Sequence, residues 1–114
     1  MLWEFKYIML ISVIIPMKNE EENISKCINS VFSQVVDNVE IEVIVVDNGS
    51  NDQSVAVAKS FGATVYENSE LTVAGLRNYG AAKANGEFFA FLDADCTVDV
   101  NWLNKALLHF NDKA

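Results

Sequence analysis

The chain of 114 residues is poor in several residue types, and each shortage excludes a class of protein. Its single histidine, His109, falls late in the last predicted helix, which argues against histidine-dependent triads and multi-histidine metal sites. Its two cysteines are too few for a disulfide scaffold, so we expect reduced thiols and a cytoplasmic protein. Eight basic against sixteen acidic residues give a net charge of −8, which disfavours nucleic acid and anionic lipid as partners.

Long hydrophobic runs are missing as well. Glu4 and Lys6 interrupt the apolar N-terminal segment, and the run over residues 7–15 contains Ser12. A membrane-spanning helix needs roughly 18 apolar residues, and a signal peptide needs positive charge before its apolar run and small residues after it. We therefore expect a strand here and no membrane span, with the inner membrane face as an alternative, peripheral location.

Two sequence fingerprints of nucleotide-binding enzymes are absent. No glycine-rich dinucleotide motif follows the first predicted strand, and no G-x-x-x-x-G-K-[ST] pattern occurs anywhere in the chain. A Rossmann dehydrogenase and a P-loop ATPase are therefore not supported.

The residues that are present alternate between the strand period and the helix period. Strands are predicted at residues 11–15, 41–46, 64–66 and 87–92, with helices after Asn19, at 54–61, at 73–84 and after Asp99. Asn19 and Glu22 have the spacing of a capping box. One face of the first helix is expected to be buried and consists of Ile24, Cys27, Ile28, Val31, Phe32 and Val35, and the last helix is expected to bury Leu103, Ala106, Leu107 and Phe110.

The order βαβαβαβα predicts an α/β fold, a Rossmann-like three-layer α/β/α arrangement with a mainly parallel sheet. The composition, 51% hydrophobic and 21% charged, is that of one globular domain or a piece of one. Ligands of such sheets bind outside the carboxyl ends of the strands, where the strand order reverses. Function is therefore expected in the loops at residues 16–20, 47–50 and 93–95.

Asp93 and Asp95 follow the fourth predicted strand directly. Residues i and i+2 of an extended segment point to the same side, so both carboxylates could reach one point. Two carboxylates at this position suit a hard divalent cation such as Mg²⁺ or Mn²⁺. The alternative is a solvated turn that happens to contain two acids.

Two other polar residues each have a functional and a structural interpretation. Asp47 ends the second strand, where it could accept hydrogen bonds from a base or a ribose, or could form an Asx-turn with Asn48 and Gly49. Arg77, the only arginine, lies in the first turns of a helix, where it could bind a pyrophosphate or pair with a surface acid.

The cysteines are not expected to react. Cys27 falls on the buried face of the first helix, which favours a role in the core. Cys96 adjoins the two aspartates, whose negative charge opposes formation of a thiolate.

Four segments taken together resemble family 2 glycosyltransferases of the GT-A fold. They are SVIIPMKNEE at residues 12–21, VVDNGSND at 45–52, AGLRNYG at 74–80 and FLDAD at 91–95. They occur in the order and spacing of that family and cover roughly residues 10–111.

The resemblance implies a site for a nucleotide-diphospho-sugar, most often a uridine one, and a divalent Mg²⁺ or Mn²⁺. Asp95 would be the metal ligand of the D-x-D motif, together with Asp93, which would also contact the ribose or sugar. Arg77 would lie near the base and diphosphate. The remaining donor-binding residues implied are Pro16, Lys18, Asn19, Glu20, Asp47 and Asn48.

The chain also departs from the family pattern. Lys18 stands where many relatives have an aromatic residue, and Asn48 replaces a frequent second aspartate. The catalytic base and acceptor site of the family lie far beyond the D-x-D motif, where this chain has only residues 96–114. The resemblance therefore implies a catalytic base beyond Ala114, so that no residue of this chain can be named for that role.

The domain organisation expected from this comparison is that of a partial enzyme. We expect residues 1–114 to be a single domain equivalent to the donor-binding half, from an inverting enzyme, and not competent alone. The edge beyond strand four is then exposed or covered by a second copy in a homodimer.

Three other interpretations apply to the same residues. The Asp93–Thr97 region resembles the nucleophile motif of haloacid-dehalogenase-type phosphatases, but the chain has no room for that family's later motifs. A calcium loop starting at Asp93 fails because Val98 and Asn104 occupy the positions of the required glycine and glutamate. A non-catalytic nucleotide-binding or interaction domain that retains the fold remains the alternative.

Overall fold

The computed structural model describes residues 7–111, which form one sheet and four helices. Its elements are, in chain order, β1 Met9–Met17, α1 Ile24–Phe32, β2 Val39–Asp47, α2 Ser54–Ser60, β3 Thr64–Glu67, α3 Val73–Lys83, β4 Phe88–Phe91 and α4 Trp102–Asn111. The strands are ordered β3-β2-β1-β4, and each neighbouring pair is parallel. The predicted α/β fold and its eight elements are confirmed.

The two cores lie on opposite faces of the sheet. One face of β1 and β2 packs against α1, α2 and α4, in a cluster that includes Val13, Ile28 and Leu103. The other face packs against α3 through Ile14, Ile44, Val46 and Leu76. Side chains alternate between the faces of a strand, so apolar residues on both faces make β1 and β2 continuously hydrophobic.

Helix α3 approaches the sheet closely because Gly80 has no side chain. A Cβ atom at this position would lie 2.5 Å from Cγ2 of Ile14 and 3.1 Å from Cγ2 of Val46. The glycine therefore has a packing role, which offsets the intrinsic cost of glycine in a helix.

A crevice opens between β1 and β4 beyond Ile14. The pairing of these strands ends at Ile14 with Phe91, after which the N–H of Leu92 still donates to the carbonyl of Ile14 at 3.1 Å. Pro16 lies two residues after Ile14, so its backbone also faces β4. Because proline has no N–H, it cannot donate a hydrogen bond to β4 at this position. Strand β1 thus continues beside β2 while β4 diverges. This is the switch point of the sheet, where ligand sites are expected.

The start of α1 differs from the prediction. The helix begins at Ile24 with Asn23 as its N-cap, so the capping box predicted for Asn19 and Glu22 is wrong. The backbone N–H groups of Asn23 and Ile24 both donate to the carbonyl of Glu20, which forms a turn before the helix. Asn19 itself adopts a φ of 52°, a left-handed conformation that cannot start an α-helix.

The buried face of α1 is shorter than predicted. Ile24, Cys27, Ile28 and Val31 are buried, whereas Phe32 is 40% exposed and Val35 is 82% exposed. The predicted burial of Phe32 and Val35 is therefore wrong. The helix ends at Phe32, so Val35 no longer follows the helical repeat that would place it on the buried face.

Thr72 caps α3, whereas Asp99, the predicted cap of the last helix, stands three residues before Trp102, where α4 begins. At α3 the side chain of Thr72 accepts the N–H of Gly75. Before α4, a carboxylate oxygen of Asp99 accepts the N–H of Asn101 at 2.6 Å. Leu103 is buried as predicted and Ala106 and Leu107 partly so, while the prediction for the Phe110 side chain lies outside what is described.

Within residues 7–111, none of the helices combines the length and the apolar character that crossing a membrane requires.

Candidate functional site

A cavity of about 320 Å³ occupies the crevice at the carboxyl ends of β1, β2 and β4. Apolar and polar side chains both line it, and acidic groups come from two of the loops. The lining consists of Pro16, Met17, Lys18, Glu20, Asn48, Val73, Leu76, Asp93, Ala94 and Asp95. The three loops chosen from the sequence therefore meet at one site.

The structure brings most of the predicted site residues to this cavity. Six of them line it: Pro16, Lys18, Glu20, Asn48, Asp93 and Asp95. Asn19, Asp47 and Arg77 stand outside the lining but contact residues of the same loops.

The predicted position of the catalytic base, beyond Ala114, is not tested by this geometry. Ala114 itself lies outside the described residues, which end at Asn111. The location of the base therefore stays a prediction.

The loops after β1 and β2 are joined by hydrogen bonds. We call them the loop pair, residues 18–23 and 48–54. The N–H of Asn19 donates to Oγ of Ser50 at 2.8 Å, and the N–H of Glu20 donates to Oγ of Ser54 at 2.7 Å. In the reverse direction, the N–H of Asn51 donates to Oδ1 of Asn19 at 2.7 Å. The wall of the cavity formed by these loops is thus ordered by its own side chains.

Asp47 is buried, with 1% of its surface exposed. Its Oδ2 accepts the N–H of Ser50 at 3.0 Å, and its Oδ1 accepts the Ser50 hydroxyl at 2.5 Å. Asp47 therefore forms a side-chain turn, but its partner is Ser50 rather than the predicted Asn48 and Gly49. Contact of the same carboxylate with a nucleoside stays a prediction.

Asp52 has a similar role at the far side of the loop pair. Its Oδ1 accepts both the N–H and the hydroxyl of Ser54, and its Oδ2 accepts the N–H of Glu21 at 3.3 Å. The hydrogen bond from Ser54 is the main cause that lowers the pKa of the Asp52 carboxyl below its ordinary value of 3.8.

The opposite wall, residues 93–96, is here called the acidic segment. Asp93, Asp95 and Cys96 are exposed, and one ligand atom from each lies within 4.8 Å of the others. The two carboxylates come together as predicted, but through a turn rather than an extended strand. β4 ends at Phe91, and the N–H of Cys96 donates to the carbonyl of Asp93 at 3.0 Å.

The possible metal ligands of the acidic segment fit a divalent cation. Carboxylate oxygens are the ligands that Mg²⁺ and Mn²⁺ prefer, and the third group, Sγ of Cys96, is softer. Partial desolvation and then the charge of Asp95 raise the pKa of the Cys96 thiol, so it favours the protonated form. The carboxylates are therefore the ligands that this segment offers to a hard cation.

Helix α1 holds the backbone of the acidic segment and of the residues after it. Sγ of Cys27 donates to the carbonyl of Asp93 at 3.6 Å, and Oγ of Ser30 accepts the N–H of Val98 at 3.1 Å. Gln34, one turn further, donates to the carbonyl of Asp99 at 2.7 Å. Burial, followed by nearby thiol and carboxylate charges, raises the pKa of Cys27 to about 12, which agrees with its predicted role in the core.

Arg77 reaches the acidic segment from α3. Its Nη2 lies 3.5 Å from Oδ1 of Asp93, and the two side chains are 42% and 63% exposed. Its Nε atom is buried and has no hydrogen-bond partner among the residues that are described. The predicted surface ion pair is therefore present, at the rim of the cavity.

Some contributors to the site were not foreseen. The apolar lining by Val73, Leu76 and Ala94 follows from packing between α3 and the sheet. The serines of the loop pair were also missed, although an aspartate with a serine two or three residues later is a known signature of side-chain turns.

Comparison with known proteins gives a consistent result. Residues 12–114 match the sequence model of Glycosyl transferase family 2. Glycosyltransferase AglE of Haloferax volcanii is 41% identical over 104 residues, which are 85% of this chain and 34% of that protein. Putative glycosyltransferase EpsH of Bacillus subtilis is 30% identical over 108 residues, 90% of this chain and 31% of that protein. The chain thus spans about one third of the length of these relatives.

Solved structures show the same fold. S. aureus TarS 1-349 in complex with UDP-GlcNAc has a TM-score of 0.77 and 31% identity, over 91% of this chain and 32% of that one. Mannosyltransferase PcManGT from Pyrobaculum calidifontis, in complex with GDP-Man and Mn²⁺, has a TM-score of 0.75 and 25% identity, over 89% of this chain and 32% of that one. The fold is thus that of GT-A glycosyltransferases, as the resemblance implied. The sequence matches and the fold of this chain indicate the same family, and the chain belongs to glycosyl transferase family 2.

Proposed function

We propose that this chain binds a nucleotide-diphospho-sugar together with a divalent cation and forms the donor-binding part of an inverting, metal-dependent glycosyltransferase. The observation that supports this most is the cavity at the switch point, with acidic carboxylates on one wall and the loop pair on the other. In parallel sheets this is the place where nucleotides bind.

The loop-pair side of the cavity is proposed to bind the nucleoside. Pro16, Lys18, Glu20 and Asn48 line it and offer an apolar ring, a cation, a carboxylate and an amide. An amide and a carboxylate can hydrogen-bond to a base or to ribose hydroxyls. Asp47 and Asn19 complete the proposed set of donor-binding residues, and both are hydrogen-bonded to the turn at residues 50–51.

The acidic segment is proposed to hold the cation. Asp95 and Asp93 would bind Mg²⁺ or Mn²⁺, whose charge neutralises the developing negative charge on the leaving diphosphate. Arg77, beside Asp93, would contribute further positive charge near the diphosphate. A net charge of −8 is compatible with an anionic ligand if the cation lies between the carboxylates and the phosphates.

Two relatives of solved structure support the class of donor. TarS was crystallised with UDP-GlcNAc and also with UDP, and the structure of PcManGT is in complex with GDP-Man and Mn²⁺. We propose a uridine nucleotide for this chain because TarS has the higher identity and TM-score of the two.

Transfer to an acceptor hydroxyl is proposed for the whole enzyme rather than for this chain. The matched relatives are about three times as long as the part that this chain covers. We propose that the catalytic base and the acceptor site belong to the remaining part, at positions beyond Ala114. The chain alone should then bind the donor without transferring its sugar.

Isothermal titration of the chain with UDP, with and without Mn²⁺, tests this proposal. We expect binding that strengthens at least tenfold with Mn²⁺ and weakens again when EDTA is added, since a shared cation links the phosphates to the protein. Thermal stabilisation by UDP and Mn²⁺ together should follow the same dependence. Absence of UDP binding under both conditions would contradict the proposal.

A further inference from the structure

We propose that Ser50 and Ser54 are positioning residues, which hold residues 18–20 in the conformation that lines the cavity. The consequence for donor binding rests on the proposed function, but the structural claim does not. Neither serine lines the cavity, so each would act through the backbone of the neighbouring loop.

The two serines form two parallel relays. In the first, the Ser50 hydroxyl donates to Asp47 and its Oγ accepts the N–H of Asn19. In the second, the Ser54 hydroxyl donates to Asp52 and its Oγ accepts the N–H of Glu20. The N–H groups of the consecutive residues Asn19 and Glu20 thus each bond to a serine, and each serine is oriented by an aspartate.

The aspartates fix the direction of both relays. A hydroxyl has one proton and two lone pairs, and an ionised carboxylate can only accept. When the serine O–H donates its hydrogen bond to the carboxylate, the serine oxygen has only lone pairs left, and one of them accepts the backbone N–H. Hydrogen bonds to an ionised group are also about twice as strong as neutral ones, which makes each relay stiff.

The relays act on a backbone conformation that is uncommon for L-residues. Asn19 has a φ of 52°, a region that L-residues other than asparagine and aspartate adopt rarely. The bonds from its N–H to Ser50 and from the Asn51 N–H to its Oδ1 hold it there. Its neighbours Lys18 and Glu20 line the cavity, so this local conformation sets where their side chains begin.

Burial shields one residue of each relay from water. Ser54 has no exposed surface, and Asp47 is 1% exposed. Water therefore competes little for the Asp47 carboxylate and the Ser54 hydroxyl, whereas Ser50 is half-buried and Asn19 is exposed.

Hydrogen exchange at single amides tests the structural claim without any ligand. In Ser50→Ala we expect exchange at the Asn19 amide to accelerate by roughly five- to tenfold, and in Ser54→Ala at the Glu20 amide, the change typical of one lost hydrogen bond. Ser60→Ala is the matched control, because that exposed hydroxyl donates to the carbonyl of Val57 at the other end of α2, away from the loop pair. Unchanged exchange at both amides in folded variants would overturn the proposal.

Titration with UDP and Mn²⁺ tests the consequence for the donor. Ser50→Ala should weaken binding by roughly five- to tenfold, whereas Ser50→Thr, which keeps the hydroxyl, should bind like the unchanged chain. Equal binding by Ser50→Ala and Ser60→Ala, despite faster exchange at Asn19, would overturn a role in donor binding. If the unchanged chain binds no UDP, the proposed function fails, and exchange alone decides the positioning claim.

Discussion

The two walls of the cavity are built in opposite ways. The loop pair is tied together by side chains whose oxygens accept backbone N–H groups, and Asp47, the β2 residue that bonds its Ser50, is buried. In the acidic segment the backbone is held by α1, but the carboxylates of Asp93 and Asp95 remain exposed. On the loop-pair side, Asp47 and Asp52 order the backbone, whereas the acidic segment presents Asp93 and Asp95 to the cavity.

This difference indicates that the two walls have different roles in binding. A preformed wall reduces the ordering cost of binding and suits recognition of a rigid group such as a base. Exposed carboxylates are well hydrated and interact weakly with each other, but they gain strongly from a shared cation. We therefore expect metal dependence to belong to the acidic segment and metal-independent recognition to belong to the loop pair.

Asp95→Asn should have the largest effect on binding. It removes a charged ligand from the acidic segment, so we expect UDP affinity in the presence of Mn²⁺ to fall on the order of 100-fold, by analogy with losses of roughly 10–100-fold for outer-shell changes. The midpoint of urea unfolding should change little, since substitution of an exposed acid alters stability by only about 0.5 kcal/mol. An Mn²⁺ dependence that survives in this variant would remove Asp95 from the site.

Asp47→Ala tests the loop pair. The N–H and hydroxyl of Ser50 lose their buried acceptor, which should lower the free energy of unfolding by about 1–3 kcal/mol. Binding of uridine without metal should weaken as well, by roughly tenfold. Asp37→Ala, at an exposed position, is the control for loss of one negative charge. If both variants unfold and bind alike, the loop pair does not depend on Asp47.

Arg77→Lys probes the junction between the acidic segment and α3. Lysine keeps the charge but loses the planar guanidinium, so we expect UDP affinity with Mn²⁺ to fall about three- to tenfold. Stability should change by less than about 1 kcal/mol, because its ion pair with Asp93 is exposed. A drop in stability without a drop in affinity would make Arg77 a structural residue only.

The smallest effect concerns the titration of Asp52. The Ser54 hydrogen bond lowers the pKa of this carboxyl below 3.8, so its stabilising effect is present above the unfolded value and is lost as pH falls through the lowered pKa. Carboxyl NMR should show a midpoint below 3.8 in the unchanged chain and a higher one in Ser54→Ala. A midpoint that Ser54→Ala does not move would show that the relay is absent in solution.

Much of this arrangement could be predicted from the sequence because it depends on local pattern. Alternating periods indicated the order of elements, and that order placed Asp47, Asp93 and Asp95 at one edge of the sheet. Polar residues after buried strands are visible without knowledge of any distant contact.

The parts that could not be predicted depend on contacts between distant residues. Asparagine is a common helix cap, which favoured that role for Asn19. Its partners Ser50 and Asn51 are 31 and 32 residues away and hold it in a left-handed conformation instead. The contact of Cys27 with the Asp93 carbonyl spans 66 residues and requires the packed fold. Local pattern does not reveal such pairs, and so the start of α1 was predicted wrongly.

A crystal structure of the chain with UDP and Mn²⁺ tests the division between the walls most directly. Anomalous scattering should place the Mn²⁺ on the Asp95 carboxylate, between the acidic segment and the diphosphate, with the nucleoside against residues 16–20 and 47–48. The conformation of Asn19 should be unchanged from φ 52°, since the loop pair is already ordered. An Mn²⁺ ion bound away from Asp93 and Asp95, or a rebuilt loop pair, would contradict this account.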